Sequence, residues 1–506
     1  MTNSTTGSAP TPATTLGACD AYGGIAGHPK GLTPLFFTEL WERFSYYGMR
    51  ALLTLFMVLP VASGGLGYSV LKAGLIYGTY TMSVYMLAIP GGYLADNFIG
   101  AKRSVLIGGI IIALGHFTLA LQSEGTFRIG LVVIAIGTGC LKPNISSMVG
   151  SLYAPDDPRR DSGFSIFYMG INIGALAPFV TGFMAQDDRF KSLLASWGFN
   201  PDHSWHWGFA SAGVGMSLGL VFYLLQLKRL AHVGNPPAKS QPKPWFKFAA
   251  ILVGTYAAYK FVMLSDEDGY GYLRYSFIAI PGAAAVYCGF SKNPVIRRLA
   301  AVLVFSIAAM VFWAIYEQAG TTIALFGDQL TRTSMFGIGF PSSYYQVLNS
   351  CFVIGLSGFF AWLWFRLGTK QPSSPVKFSL GLGFIAVSFL LMVPAANLAA
   401  HGKVSPLWLV GLFFLQTVGE LCLSPVGLSA MTKLAPARFL GLIMGIWFLA
   451  AALGNKLAGV LSGGFDSANP AGLAHFFLLQ AFWVAVATAI LFALSPWVKK
   501  LMGGVR

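Results

Sequence analysis

The sequence predicts an all-α polytopic membrane protein, with about fourteen crossing helices laid out as six plus two plus six, and three observations predict it. Of 506 residues, 55% are hydrophobic and only 10% are charged, where a soluble domain carries roughly 25% charged residues. Apolar segments of about 20 residues, the length that crosses a hydrocarbon core of ~30 Å, recur along the whole chain. The basic residues that remain are shared very unequally between alternate connecting loops.

In order, the apolar segments run 34–60, 70–95, 104–122, 128–150, 162–185, 206–228, 245–264, 272–290, 297–320, 342–366, 376–396, 406–431, 438–462 and 472–498. The first 30 residues are rich in Ser, Thr, Ala and Pro, without a charged start or an apolar core. They read as a disordered cytoplasmic tail and not as a signal peptide. Residues 31–230 then hold six spans. A basic, proline-containing linker at 228–247 (Asn235-Pro236-Pro237, then Gln241-Pro242-Lys243-Pro244) leads to two plain apolar-aromatic helices, so 231–295 reads as linker plus inserted pair. Residues 296–506 hold the last six spans. The even count agrees with both termini on one side.

The formal net charge is +15, and the position of the basic residues decides what it means. Lys102, Arg103, Arg159, Arg160, Lys228, Arg229, Lys239, Lys243, Lys247, Lys292, Arg297, Arg298, Lys499 and Lys500 fall on one side. Only Lys72, Arg128, Arg189, Lys191, Arg274, Arg332 and Lys403 fall on the other. This is the positive-inside pattern, which places both termini in the cytoplasm and the chain in the inner membrane. No basic cluster is left for nucleic acid. The 5 cysteines show no C-x-x-C spacing and the 7 histidines are scattered, which argues against a disulfide framework, a metal site or a haem enzyme.

Charged residues inside apolar spans are expensive, at ~2.5–3.5 kcal/mol each on the mildest scale, and mark function by default. In the first span, Glu39, Glu42, Arg43, Tyr46, Tyr47 and Arg50 stand at offsets 0, 3, 4, 7, 8 and 11, which share one helix face. Arg43 lies about 14 Å into the span at ~1.5 Å per residue, near the middle of the core. Lys142 sits in the fourth span among glycines and next to Pro143, Glu317 opens a Glu-Gln pair, and Glu420 sits in Gly419-Glu420-Leu421-Cys422-Leu423-Ser424-Pro425. With the inserted pair set aside, the charged helices are the first, fourth, seventh and tenth. Those are the first helices of four three-helix repeats, the positions that line the central path in a major facilitator fold. A structural ion-pair seam needs fewer charges than this. Asn172, Gln346 and Asn349 follow the same pattern, although a buried amide alone is as well read as an interhelical hydrogen bond. Lys456 and His116 have no assignment, and Lys260 in the inserted pair reads as snorkelling or locally paired. The turn Gly91–Arg103, with Asp96 at a helix end, resembles the helix 2–3 loop of major facilitator proteins, where its role is conformational. Asn97 stands where a base is usual.

Four stretches, in order, carry a fuller resemblance: Glu39-Leu40-Trp41-Glu42-Arg43-Phe44-Ser45-Tyr46-Tyr47-Gly48; Lys142-Pro143-Asn144 followed by Phe164–Tyr168 and Ile171–Gly174; Phe312–Gln318; and Gly419–Pro425. Together they make the chain similar to the bacterial proton-dependent oligopeptide transporters, over nearly all of residues 30–498. The resemblance implies a proton-coupled symporter of di- and tripeptides, with peptide-like drugs as further candidates, that is not an enzyme and needs no cofactor beyond the proton gradient. It implies Arg43 and Lys142 for the peptide carboxylate, with Tyr46, Tyr47 and Tyr85 nearby. It implies Asn172, Asn349 and Glu420 for the amino group, Trp313 and Trp447 as further substrate contacts, and Glu39, Glu42, Arg43 and Glu317 for proton coupling. Arg50 with Glu317 would form the outer gate, and Lys142 with Glu420 the inner one. Animal members place a proton-handling histidine in the second span; 70–95 has none, which shifts that role to carboxylates. Two other classes stay open: nitrate or another anion in a basic cavity, and a passive channel. Charges of both signs on opposing helices speak against a ring-type channel.

Overall fold

The computed structural model describes residues 23–154, 157–237, 243–436 and 439–503. The chain runs through α1 (Leu32–Val58), α2 (Val70–Met86), α3 (Ala88–Leu94), α4 (Ala101–Leu119), α5 (Glu124–Ser151), α6 (Arg160–Gly174), α7 (Pro178–Gln186), α8 (Asp188–Ser196) and α9 (Ser204–Leu225). Next come α10 (Trp245–Leu264) and α11 (Ser276–Gly289), then α12 (Pro294–Tyr316) and α13 (Thr322–Gln329). A hairpin of β1 (Ser334–Met335) and β2 (Ile338–Gly339) precedes α14 (Val347–Leu367), α15 (Ser374–Ala399), α16 (Leu407–Leu434), α17 (Leu440–Leu461) and α18 (Pro470–Leu501). Among the described residues, 11 helices are long and apolar enough to cross a membrane. The charges of α1 and the short α2 and α11 explain why those three expected spans fall outside that set.

Helix starts follow local chemistry. Ser69, Ser123, Asn293 and Asn469 accept hydrogen bonds from backbone N–H groups of the first turns of α2, α5, α12 and α18, the usual solution for orphan donors. Three expected spans are broken. The 70–95 segment divides at Leu87 into α2 and α3, and 162–185 divides before Pro178 into α6 and α7. The 297–320 segment ends as α12 at Tyr316, turns through Glu317–Gly320, and resumes as α13 after Thr321, whose φ of −128° and ψ of −94° are non-helical. Irregular backbone at that depth is tolerated where it is buried in protein or lines a cavity, and Glu317 sits at this break.

Two helical groups result. In the first, α1 packs on α6, α7 and α9, and α4 packs on α5 and α9. In the second, α15 packs on α16 and α18, and α12 packs on α15, α17 and α18. Between the groups, α2 meets α17, α6 meets α14 and α1 meets α13. The α2–α17 seam is close: a Cβ on Gly459 would stand 2.2 Å from the Gly74 carbonyl oxygen. The inserted pair straddles both groups. α10 lies along α2 and α3, through Phe98–Trp245 at 4.4 Å and Tyr93–Phe248 at 6.3 Å, whereas α11 packs on α12.

Of the segment expected as a tail, residues 1–22 lie outside the described residues, as does Lys239 of the linker. Residues 23–30 differ from the expectation. His28 is buried and its Nδ1 is 2.9 Å from the Tyr153 hydroxyl, so this stretch belongs to the packed structure.

Candidate functional site

α1 carries the charged face into the interior: Glu39, Glu42, Arg43, Tyr46 and Arg50 are all buried. Arg43 Nε is 3.1 Å from Glu39 Oε1 and also pairs with Glu42, while its guanidinium lies 5.3 Å from the Tyr46 ring centroid. About two helical turns later, Arg50 Nη2 meets Glu317 Oε2 at 2.7 Å, and Arg50 Nε donates to the Tyr77 hydroxyl at 2.5 Å. The broken backbone after α12 serves this contact. Thr54 Oγ1 donates to the Gly320 carbonyl at 2.7 Å, so α1 of the first group is tied to the α12–α13 turn of the second. Both charges are almost fully buried, at 10% and 6% side-chain exposure, where breaking a pair costs far more than at a surface.

Lys142 precedes Pro143, which has no N–H to give the Gly139 carbonyl of α5; one residue on, the Asn144 side-chain amide donates to Cys140 O at 2.7 Å and Ser104 Oγ at 3.1 Å. Lys142 Nζ then lies 4.1 Å from the Tyr85 ring centroid, a cation–π contact. On the opposing wall, Glu420 of α16 accepts from the Tyr316 hydroxyl at 2.5 Å and from Asn349 Nδ2 at 3.2 Å, and Asn349 Nδ2 also reaches Thr417 Oγ1 at 3.0 Å. Asn172 Nδ2 is bonded to its own helix at Tyr168 O.

These groups meet around one cavity of about 150 Å³, lined by Arg43, Tyr46, Tyr47, Arg50, Tyr85, Lys142, Asn172, Trp313, Glu317, Asn349 and Glu420, together with Tyr316 and Gln346. The first group of helices supplies Arg43 and Lys142, and the second supplies Asn349 and Glu420. The cavity therefore has a cationic wall and an anionic, amide-rich wall, suited to an elongated ligand with a charge of opposite sign at each end. Among the described residues no cluster of His, Cys, Asp and Glu could hold a metal ion.

Not every expected residue lines the cavity. Glu39 and Glu42 sit behind Arg43 and reach the cavity through its guanidinium. Trp447 is corrected from wall to core: its indole packs on Phe378 at 6.2 Å and against Gly427, because that face of α17 points into the second group. Lys142 and Glu420 are not paired here; each has the separate partners given above. Asp96 lies exposed in the turn Ala95–Ile99, with no ion pair among the described residues. The base of that loop, Lys102, instead donates to Leu230 O and Asn235 Oδ1.

Other residues that make buried polar contacts were not assigned from the sequence. Tyr316 and Tyr77 read as ordinary core aromatics, although Tyr316 adjoins Glu317 in the chain. Lys456 is only 1% exposed and pairs with Asp266 of the α10–α11 connection, with Thr79 Oγ1 of α2 at 2.8 Å. A lysine inside an apolar span was the available signal; its partner, over 150 residues away in sequence, was not. His116 is fully buried with neither ring nitrogen hydrogen-bonded, and Lys260 is exposed.

Known proteins resemble the chain along most of its length. The model of the POT family, PTR2, matches residues 102–476. The chain is 42% identical to the "Uncharacterized transporter YclF" of Bacillus subtilis, over 95% of this chain and 96% of that protein. It is 38% identical to the "Di-/tripeptide transporter" of Lactococcus lactis subsp. lactis, over 95% and 98% respectively. A solved structure of a mutant peptide transporter POT in complex with sulfate superposes with a TM-score of 0.83 at 39% identity, covering 96% of this chain and 98% of that one.

Proposed function

The chain belongs to the POT family of membrane transporters, and from that premise we propose that it is a proton-coupled symporter that imports di- and tripeptides across the cytoplasmic membrane by alternating access. The observation that carries the reading is the pair of opposite poles on one cavity, Arg43 and Lys142 against Glu420 with Asn349. A dipeptide is a zwitterion about 7 Å long at ~3.3–3.6 Å per residue, so both termini find a complementary wall while the side chains face the remaining space. A simple anion such as nitrate would leave the Glu420 carboxylate with its neutral partners Tyr316 and Asn349 and no cation.

Coupling follows from the Arg43 cluster. Its single positive charge is shared by Glu39 and Glu42, which it neutralises in part. A peptide carboxylate drawn to Arg43 weakens that neutralisation and favours a proton on one of the glutamates. One charge crossing ~100 mV supplies ~2.3 kcal/mol, about 50-fold accumulation at 1.4 kcal/mol per decade, and no cofactor is required. The positive-inside pattern puts the basic end in the cytoplasm and the Arg50–Glu317 contact towards the outside. In this reading the contact is an outer gate, closed in the described conformation. Lys142 and Glu420 would pair in the opposite conformation. The test is uptake of labelled dialanine into proteoliposomes under an imposed pH gradient. Accumulation that a protonophore abolishes is expected; accumulation indifferent to the protonophore refutes proton coupling.

A further inference from the structure

A second cavity, larger than the central one, shares Tyr168 of α6 with it. It measures about 660 Å³ and opens among the ends of α14, α15, α16 and α18 at the basic end of the molecule. Of these helices, α15 and α18 take no part in the central cavity. Lys377, Lys433 and Lys499 line it, and no aspartate or glutamate does. Lys377 is 7% exposed, yet its ammonium has only neutral partners: Gln371 Oε1 at 2.7 Å and the Trp364 ring at 4.0 Å. Among the described residues no carboxylate pairs with it. A buried ammonium without a counter-ion is unfavourable unless an anion is brought to it. The rest of the wall is apolar, through Phe360, Leu421, Val426 and Met502.

We propose that this cavity binds the anionic headgroup of a membrane phospholipid, with the phosphate at Lys377, Lys433 and Lys499 and an acyl chain against the apolar wall. Depth supports a lipid over a soluble anion. On the same final turns of α14, Trp362 and Phe365 are exposed at 56% and 88%, and aromatic side chains outside a helix end mark the headgroup level. Basic pockets between helices at the cytoplasmic face suit anionic headgroups for the same reason. Each lysine near the surface is worth about fivefold in affinity for such a headgroup.

The full chain is reconstituted in nanodiscs of phosphatidylcholine containing a minor fraction of phosphatidylglycerol, then released and weighed by native mass spectrometry to count retained lipids. The wild-type chain is expected to retain one phosphatidylglycerol in preference to phosphatidylcholine. Lys377→Met is expected to lower that retention about fivefold, and Lys377→Arg to keep it. Should Lys377→Met fail to fold, the exposed pair Lys433→Gln with Lys499→Gln is expected to lower retention more than either single change. Equal retention of both lipids overturns the proposal. So does loss of the retained lipid on adding inorganic phosphate, which identifies a soluble anion. Displacement by dialanine also overturns it, because the cavity would then be a stage of peptide release.

Discussion

Asp266→Asn removes a carboxylate shared by the buried Lys456 and the more exposed Arg274, at a distance from α1 and the central cavity. Lys456 of α17 is 1% exposed and its ion-pair partner Asp266 is 11% exposed. In the variant the ammonium loses its anionic partner and keeps neutral ones: Thr79 Oγ1 at 2.8 Å, Met263 Sδ at 3.9 Å and the new amide oxygen. Removing one partner of a buried pair costs about 3–5 kcal/mol. A ceiling of similar size follows independently: stripping an ordinary lysine of its proton at neutral pH takes about 4–5 kcal/mol, and the group sheds the proton before it accepts a larger penalty. An exposed pair should behave differently. Arg159 is 33% and Asp157 14% exposed, so Asp157→Asn should cost about 0–1 kcal/mol. The assay is denaturant unfolding of the purified chain in one detergent, with Asp266→Asn, Lys456→Met and the double variant beside Asp157→Asn. Asp266→Asn should lose several times more than the surface control, and the double variant should recover part of the loss. A loss no larger than that of Asp157→Asn would refute the account of Lys456 as a charge held in the interior by its partner. The pair also joins α17, α2 and the inserted helices, so the same loss should loosen the α2–α17 seam.

Tyr316→Phe keeps the ring that stacks on Phe312 and removes one hydrogen bond to the Glu420 carboxylate, worth about 1.5–3 kcal/mol. KM should rise for dipeptides with a free amino group and stay unchanged for N-acetylated ones; an equal change in both would mean a packing role. Glu39→Gln and Glu42→Gln should leave peptide exchange intact and abolish gradient-driven accumulation, whereas Arg43→Ala should abolish both in the same vesicles. Equal loss of exchange and accumulation in the glutamine variants, with folding intact, would make the glutamates structural. Arg50→Ala leaves Glu317 without its cation, so the tie between α1 and the α12–α13 turn should open. In a cysteine-free background, Thr54→Cys, at a position 1% exposed, should then react faster with an impermeant thiol reagent added outside. An unchanged rate would show that Arg50 does not hold that end closed.

The charged face of α1 was legible because intramembrane charges are too costly to occur without purpose, and helical periodicity alone puts Glu39, Arg43, Tyr46 and Arg50 on one side. The same cost made Lys142, Glu317 and Glu420 visible. The broken helices were not read from the sequence: 162–185 was expected as one span although Pro178 sits at its break, and nothing local distinguished Tyr316–Thr321 from a helix that simply continued. Trp447 was misassigned since an aromatic residue in a span is equally at home in a core or on a cavity wall.

The sequence by itself determined the helical membrane class and which helices carry the charges, because hydropathy, charge placement and helical period are local quantities that one chain displays in order. Only the tertiary structure decided who pairs with whom. Arg50 is bonded to Glu317 while Lys142 is apart from Glu420, Tyr316 holds Glu420, Asp266 pairs with Lys456, and Lys377 has no carboxylate partner among the described residues. Each of these depends on which helix faces lie across a few ångströms of low-dielectric space. That proximity links residues far apart in the chain and leaves no periodic trace along it.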